Sequence, residues 1–122
     1  MPRKSSFAHL VPPSVIVHEP EPVPLPTAPD HLSPEMKRWW QTENEKFAFD
    51  DHQLKLLEAA SGAWDRMTQA RLALAKHGLT YQDDKGGIRP RPEIAIERDC
   101  RIAFARLLRE LHLDNPDNSA RG

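Results

Sequence analysis

The side chains able to do chemistry are few and scattered. The six histidines are His9, His18, His31, His52, His77 and His112, and none is paired with another at helical metal-ligand spacing or sits in a His-Glu-x-x-His pattern. Asp50-Asp51-His52 is the one tight acid–imidazole cluster. It has the groups for a metal-dependent hydrolase or nuclease, but two acids followed by an imidazole are also what a helix start requires. Cys100 is the single cysteine, which excludes a disulfide framework or a multi-cysteine zinc site within one chain. It falls on an apolar helical stripe and reads as a small core side chain. Gly86-Gly87 beside Lys85 lacks the spacing of a phosphate loop, and no Gly-x-Ser-x-Gly elbow occurs. The sequence therefore calls for no catalytic residue, no metal and no cofactor.

Charge is the remaining source of chemistry. The chain of 122 residues carries 17 Lys+Arg against 18 Asp+Glu, which excludes a strongly basic nucleic-acid coat and an acidic tail. Residues 33–113 hold 14 Lys+Arg and 13 Asp+Glu, a net of +1. One copy would bind phosphates weakly, and salt would weaken it further. Two local clusters stand out. Lys37, Arg38 and Lys46 lie together in one segment; Lys85, Arg89 and Arg91 lie in another, with Arg89 and Arg91 flanking Pro90. Each is either a solvated face or a DNA contact, and several copies would multiply either into a basic band. Arg98, Arg101, Arg106 and Arg109 alternate with Glu97, Asp99 and Glu110, a pattern of salt bridges within and between subunits.

The elements that must position these residues divide at a proline boundary. Nine of the 12 prolines lie in residues 1–34. Each lacks an amide donor and restrains its predecessor, so residues 1–32 are expected to form a disordered, extended, solvated arm: a tether, or a docking peptide for a partner. Ser33-Pro34-Glu35 is a helix start, and the helix is expected to reach about Phe47. Asp50 and Gln53 form a capping-box pattern for a second helix. Leu57, Ala60, Trp64, Met67, Ala70 and Leu74 recur along it at steps of three and four, and Gly78 stops it after Lys76 and His77. Gly62, inside it, suggests close packing or a bend.

Thr80-Tyr81 and Ile88-Arg89 are expected to pair across a turn at Gly86-Gly87. Pro92-Glu93 opens a third helix bearing Ile96, Cys100, Ala103, Leu107 and Leu111, with Ile94, Ile102, Phe104 and Leu108 widening its apolar face. Residues 114–122 read as a flexible tail. The expected fold is all-α: a short helix plus a long antiparallel helical hairpin with a short β-like connector. The domain boundaries are 1–32, 33–113 and 114–122.

Two long helices with wide apolar faces make a thin core. Self-association through the hairpin is one remedy, using Leu57, Trp64, Met67, Leu74, Ile96, Ile102, Phe104, Leu107 and Leu111. The alternative is a monomer in which Trp39, Trp40 and Trp64 cover the open side. Apolar runs are short and mean hydropathy is −0.66, so no membrane segment is expected. Pro12 and Pro13 interrupt the one candidate signal-peptide core, so an intracellular protein is expected.

Leu57-Glu-Ala-Ala-Ser-Gly-Ala-Trp-Asp-Arg-Met67, continuing through Gly78 to Tyr81, together with Arg89-Pro-Arg-Pro-Glu-Ile-Ala-Ile-Glu-Arg-Asp-Cys-Arg-Ile-Ala-Phe-Ala-Arg-Leu-Leu-Arg-Glu-Leu111, resembles the small subunit of tailed-phage terminases. The shared layout is a long helix ending in Gly, a Gly-containing connector, a proline-led start and a helix ending in Glu-Leu-x-Leu. It covers roughly residues 33–116. Where members often have Gly after the final Glu-Leu and a Pro-Ser-Arg-like tail, this chain has His112 and Asn115-Pro116-Asp117. The resemblance implies a non-catalytic subunit in the host cell cytoplasm. It would recognise viral double-stranded DNA, assemble as a homo-oligomeric ring, and present DNA to the large terminase subunit. A helical adaptor without DNA contact is the rival, separated by salt-dependent DNA binding.

Overall fold

The computed structural model describes residues 24–111; the rest of the arm, residues 1–23, and residues 112–122, including the expected tail, lie outside the described residues. Three helices and a two-stranded ribbon follow in order: α1 Pro34–Lys46, α2 Asp51–His77, β1 Thr80–Gln82, β2 Ile88–Pro90 and α3 Pro92–Leu111. The expected mostly helical fold with a short β connector is what forms. No helix among the described residues is long and apolar enough to cross a membrane.

The ends of the helices follow local chemistry. The Ser33 hydroxyl accepts a hydrogen bond from the Met36 amide at 3.1 Å, and Pro34 occupies the first turn, where no amide donor is needed. Phe47 caps α1 in an extended conformation, so the helix stops one residue short of the expected end. The capping box of α2 is complete. Asp50 accepts from the Gln53 amide at 2.8 Å, and the Gln53 side chain accepts from the Asp50 amide at 3.0 Å. Gly78 ends α2 with φ 86° and ψ −178°, a backbone region open to little besides glycine.

α2 and α3 run antiparallel. Leu57 joins the cluster that holds Leu111, Trp64 lies tilted against Phe104 at 5.0 Å between ring centroids, and Arg71 pairs with Glu97 at 3.0 Å. The partner numbers fall as those on α2 rise. α1 lies over the end where α2 begins and α3 finishes, and the core there is Leu32, Met36, Trp40, Leu57 and Leu111. Trp39 reaches Phe104 at 5.8 Å, whereas Trp40 is buried in the cluster, so the adjacent indoles make separate contacts as their 100° offset requires.

Two observations bear on the expected arm and association surface. First, the described part of the arm, residues 24–32, touches the domain. The Trp40 indole donates to the Pro26 carbonyl at 3.0 Å, and Leu32 is buried in the core. The prolines that bar helix formation leave the segment straight enough to lie along α1. Second, Leu57, Met67 and Leu111 are buried within a single copy. Trp64, Leu74, Phe104 and Leu107 are half-buried, and only Ile96 and Ile102 of that set are exposed. The physical reason is that α1 and its tryptophans cover the end of the hairpin while α2 and α3 turn their stripes on each other. Gly62 is not a close-packing point: a Cβ added there meets nothing within 4 Å.

Candidate nucleic-acid interface

The ribbon at the far end of the hairpin is built around one carboxylate. Asp83 Oδ1 accepts from the Gly87 amide at 2.7 Å and the Lys85 amide at 3.0 Å, and its Oδ2 accepts from Arg89 Nε at 3.0 Å. The Arg89 guanidinium, then the Gly87 and Lys85 amides, hold its carboxyl below the usual aspartate range. Gly86 takes φ 84° to close the turn. Tyr81 pairs with Arg89, Thr80 with Pro90 and Gln82 with Ile88, so Tyr81 and Arg89 share one face and Ile88 lies on the other. The Arg91 amide donates to the Leu79 carbonyl at 2.9 Å and extends the ladder one step towards α3.

The expected basic residues are therefore not equivalent. Lys85 stands at the exposed turn, and Arg89 is exposed while tied to Asp83. Arg91 is half-buried, and its Nε is buried without a hydrogen-bond partner among the described residues. On α1, Lys37 and Arg38 are exposed beside the packed arm, where a cavity of about 330 Å³ is also lined by Leu25, Pro26, Thr27 and Trp40. Lys46 lies nine residues on from Lys37, about half a turn around the helix, and reaches Glu43 at 3.9 Å. It does not join Lys37 in one patch. α1 contacts α2 near Trp64 and Asp65, whereas the ribbon follows His77. At 1.5 Å per residue, this puts at least about 20 Å of hairpin between the two basic clusters.

Asp50 is committed to capping, and Asp51 and His52 beside it are exposed. No three His, Cys, Asp or Glu side chains among the described residues form a group able to hold a metal ion. Arg101 pairs with Glu97 at 3.5 Å and Arg98 with Asp99 at 3.3 Å, the intra-helix part of the expected pattern. Sequence reasoning passed over Asp83, although an Asp four residues before a Gly in a polar turn is a usable signal. It also passed over the exposed apolar residues at this end of the molecule: Leu72 at 66%, Leu79 at 62% and Ile88 at 75% exposure.

A helical hairpin covered at one end by α1, with a charged ribbon at the other, leaves its charged groups on the surface. The phage terminase small subunit family matches residues 35–121, more than half of the chain, and the chain belongs to that family. Its role is accordingly in phage DNA packaging. No curated protein and no solved structure shows a significant match.

Proposed function

We propose that this chain recognises viral double-stranded DNA and, as a homo-oligomeric ring in the cytoplasm of the infected host cell, presents it to the large terminase subunit. It would act as a non-catalytic, cofactor-free regulatory subunit. The supporting observation is the ribbon tip, where Lys85 and Arg89 stand at an exposed turn braced by Asp83. A turn whose backbone is ordered in this way presents its cations to phosphate without first having to order a loop. Lys37 and Arg38 would form a second contact on α1, with Lys46 a separate one on its other side, and Arg91 would contribute less because its Nε is buried. The N-terminal arm and the C-terminal tail are the proposed contacts for the large subunit.

Fluorescence anisotropy of labelled duplex DNA, titrated with salt, tests this reading. Each phosphate contact contributes about 0.9 to the slope of log K against log salt. Lys85→Ala and Arg89→Ala should each reduce the slope by about that amount per engaged copy. Binding that is absent at low salt would favour the adaptor reading.

A further inference from the structure

α3 carries its positive charge on the side opposite its packing. Cys100 lines a cavity against α2, Phe104 meets Trp64 and Trp39, and Leu111 is buried in the core. At 100° per residue these three lie within about 40° of one another, which defines the inner side of the helix. Arg98, Arg101, Arg106 and Arg109 fall on the outer side, in an arc of about 140° with Arg98 and Arg109 near its middle. All four are exposed. Arg98 and Arg109 are about 16 Å apart along the axis, which matches the rise of about five base pairs of duplex.

The nearby acids do not neutralise this row. Glu97 is shared between Arg71 of α2 at 3.0 Å and Arg101 at 3.5 Å, and its side chain is only 16% exposed. Asp99 pairs with Arg98 at 3.3 Å from one flank of the row. Glu110 lies on the same flank, about 120° from Arg98. It stands four residues from Arg106, the spacing at which helical pairs form, yet Arg106 and Arg109 make no ion pair among the described residues. Within one copy, the expected salt bridges therefore form at Arg98 and Arg101 alone. The residue type also points to a ligand. Every cation of α3 is an arginine, whereas α1 and α2 carry both lysine and arginine. A solvated face needs only charge, but a planar guanidinium can take two phosphate oxygens at once. Ala105, between Arg101 and Arg109 on this side, keeps the surface low enough for a sugar–phosphate chain to approach the helix. Ile102, 40% exposed on the other side of Arg109, offers a sugar edge an apolar contact.

We infer that the arginine row on the outer side of α3 is a further duplex-DNA contact, gripping the phosphate backbone along the hairpin rather than at its tip. This rests on the DNA reading and adds to it a surface separate from Lys85 and Arg89 on the ribbon and from Lys37 and Arg38 on α1. α3 begins one residue after β2, so the row runs from near the ribbon towards the end that α1 covers. Phosphate contacts of this kind fix where and how the duplex lies and carry no sequence information of their own.

Arg106→Gln/Arg109→Gln in the full chain tests the row, because both side chains are exposed and neither breaks an ion pair among the described residues. Salt-titrated anisotropy with labelled duplex DNA is read beside native mass spectrometry. The oligomeric mass and the helical circular dichroism should stay as in the wild type. The slope of log K against log salt should fall by about 1.8 for each engaged copy, two phosphate contacts being lost. An unchanged slope makes the row an ordinary solvated face and overturns the inference. A fall in oligomeric mass makes the two arginines ion-pair partners between copies and overturns it as well. If Lys85→Ala lowers the slope and the arginine pair does not, the DNA reading stands and only the row fails. A wild-type chain that binds no duplex at low salt removes both.

Discussion

Asp65 holds α1 onto α2 by a two-point clamp, and removing it tests how the domain is built. Its Oδ2 accepts from the Ser33 amide at 2.8 Å and its Oδ1 from the Ser33 hydroxyl at 2.5 Å. The same hydroxyl accepts from the Met36 amide, so the α2 carboxylate fixes the first turn of α1 through its cap. A hydrogen bond to a charged group contributes about 1.5–3 kcal/mol when fully enclosed. Both bonds are only part-buried, so about 2–3 kcal/mol together is the expected loss for Asp65→Ala. For a domain of this size that lowers the melting temperature by about 10–20 °C. Ser33→Ala removes the hydroxyl bond and the cap, at about 1–2 kcal/mol, but keeps the backbone donor. The double variant should therefore show positive coupling of about 1 kcal/mol, the share of the hydroxyl bond alone. Urea denaturation at one fixed protein concentration compares the variants on the same footing. Hydrogen exchange should show the amides of α1 opening before those of the hairpin. A loss under about 0.5 kcal/mol for Asp65→Ala, or additive single variants, would refute the clamp.

Three further outcomes follow from named groups. Gly78→Ala should cost about 1–3 kcal/mol although the site has room for a Cβ, because φ 86° with ψ −178° strains any L residue; an unchanged urea midpoint would count against it. Burial pushes the Glu43 carboxyl up, with Lys46 and Trp39 opposing the shift. The folded state then binds the proton more tightly than the unfolded chain, so this contribution to stability falls as pH rises from the ordinary glutamate range through the raised value, and is flat above it. Glu43→Gln should remove that decline, and parallel pH profiles for the two proteins would refute the assignment. Asp83 is shifted the opposite way, so its contribution is present above the ordinary aspartate range and is lost as pH falls through the lowered value. Asp83→Ala should speed exchange of the Lys85 and Gly87 amides at neutral pH, and unchanged exchange would mean that the turn holds itself.

The features legible in the sequence are those set by neighbours along the chain. Ser33-Pro34, the Asp50–Gln53 box, the three-and-four stripe, Gly78 and the Gly86-Gly87 turn are local signals, and each placed an element within a residue or two. The clamp of Asp65 on Ser33 joins residues 32 positions apart, and no periodicity announces such a polar contact. Trp40 bonding to Pro26 was hidden for a related reason: proline spacing reports what the arm cannot form, not the surface it lies against. The same limit explains Leu57, Met67 and Leu111. A stripe says which side of a helix is apolar, and only the packed partner decides whether a neighbour in the same chain or another copy covers it. Among the expected DNA contacts, spacing placed Arg89 and Arg91 alike beside Pro90, yet one is exposed and paired with Asp83 and the other turns its Nε inward.

Under the proposed function, that sorting sets how many copies must act together. Lys85 and Arg89 offer two phosphate contacts at the ribbon tip of one copy, while at least about 20 Å of hairpin separates them from Lys37 and Arg38. Two contacts give a salt slope of about 1.8, too shallow for binding that relies on phosphates alone. Proteins that depend on such contacts use roughly six to ten, which three to five ribbon tips would supply if held side by side on one duplex. A helical hairpin with its core at one end and its charged ribbon at the other suits that arrangement. The copies can associate along one side of the rods while the tips remain free, and the joint between copies can be stabilised without touching a phosphate-binding residue. Lys85→Ala should therefore keep assembly and lose the salt slope in equal steps per copy, and a variant that loses assembly together with the slope would refute this separation of rods and tips.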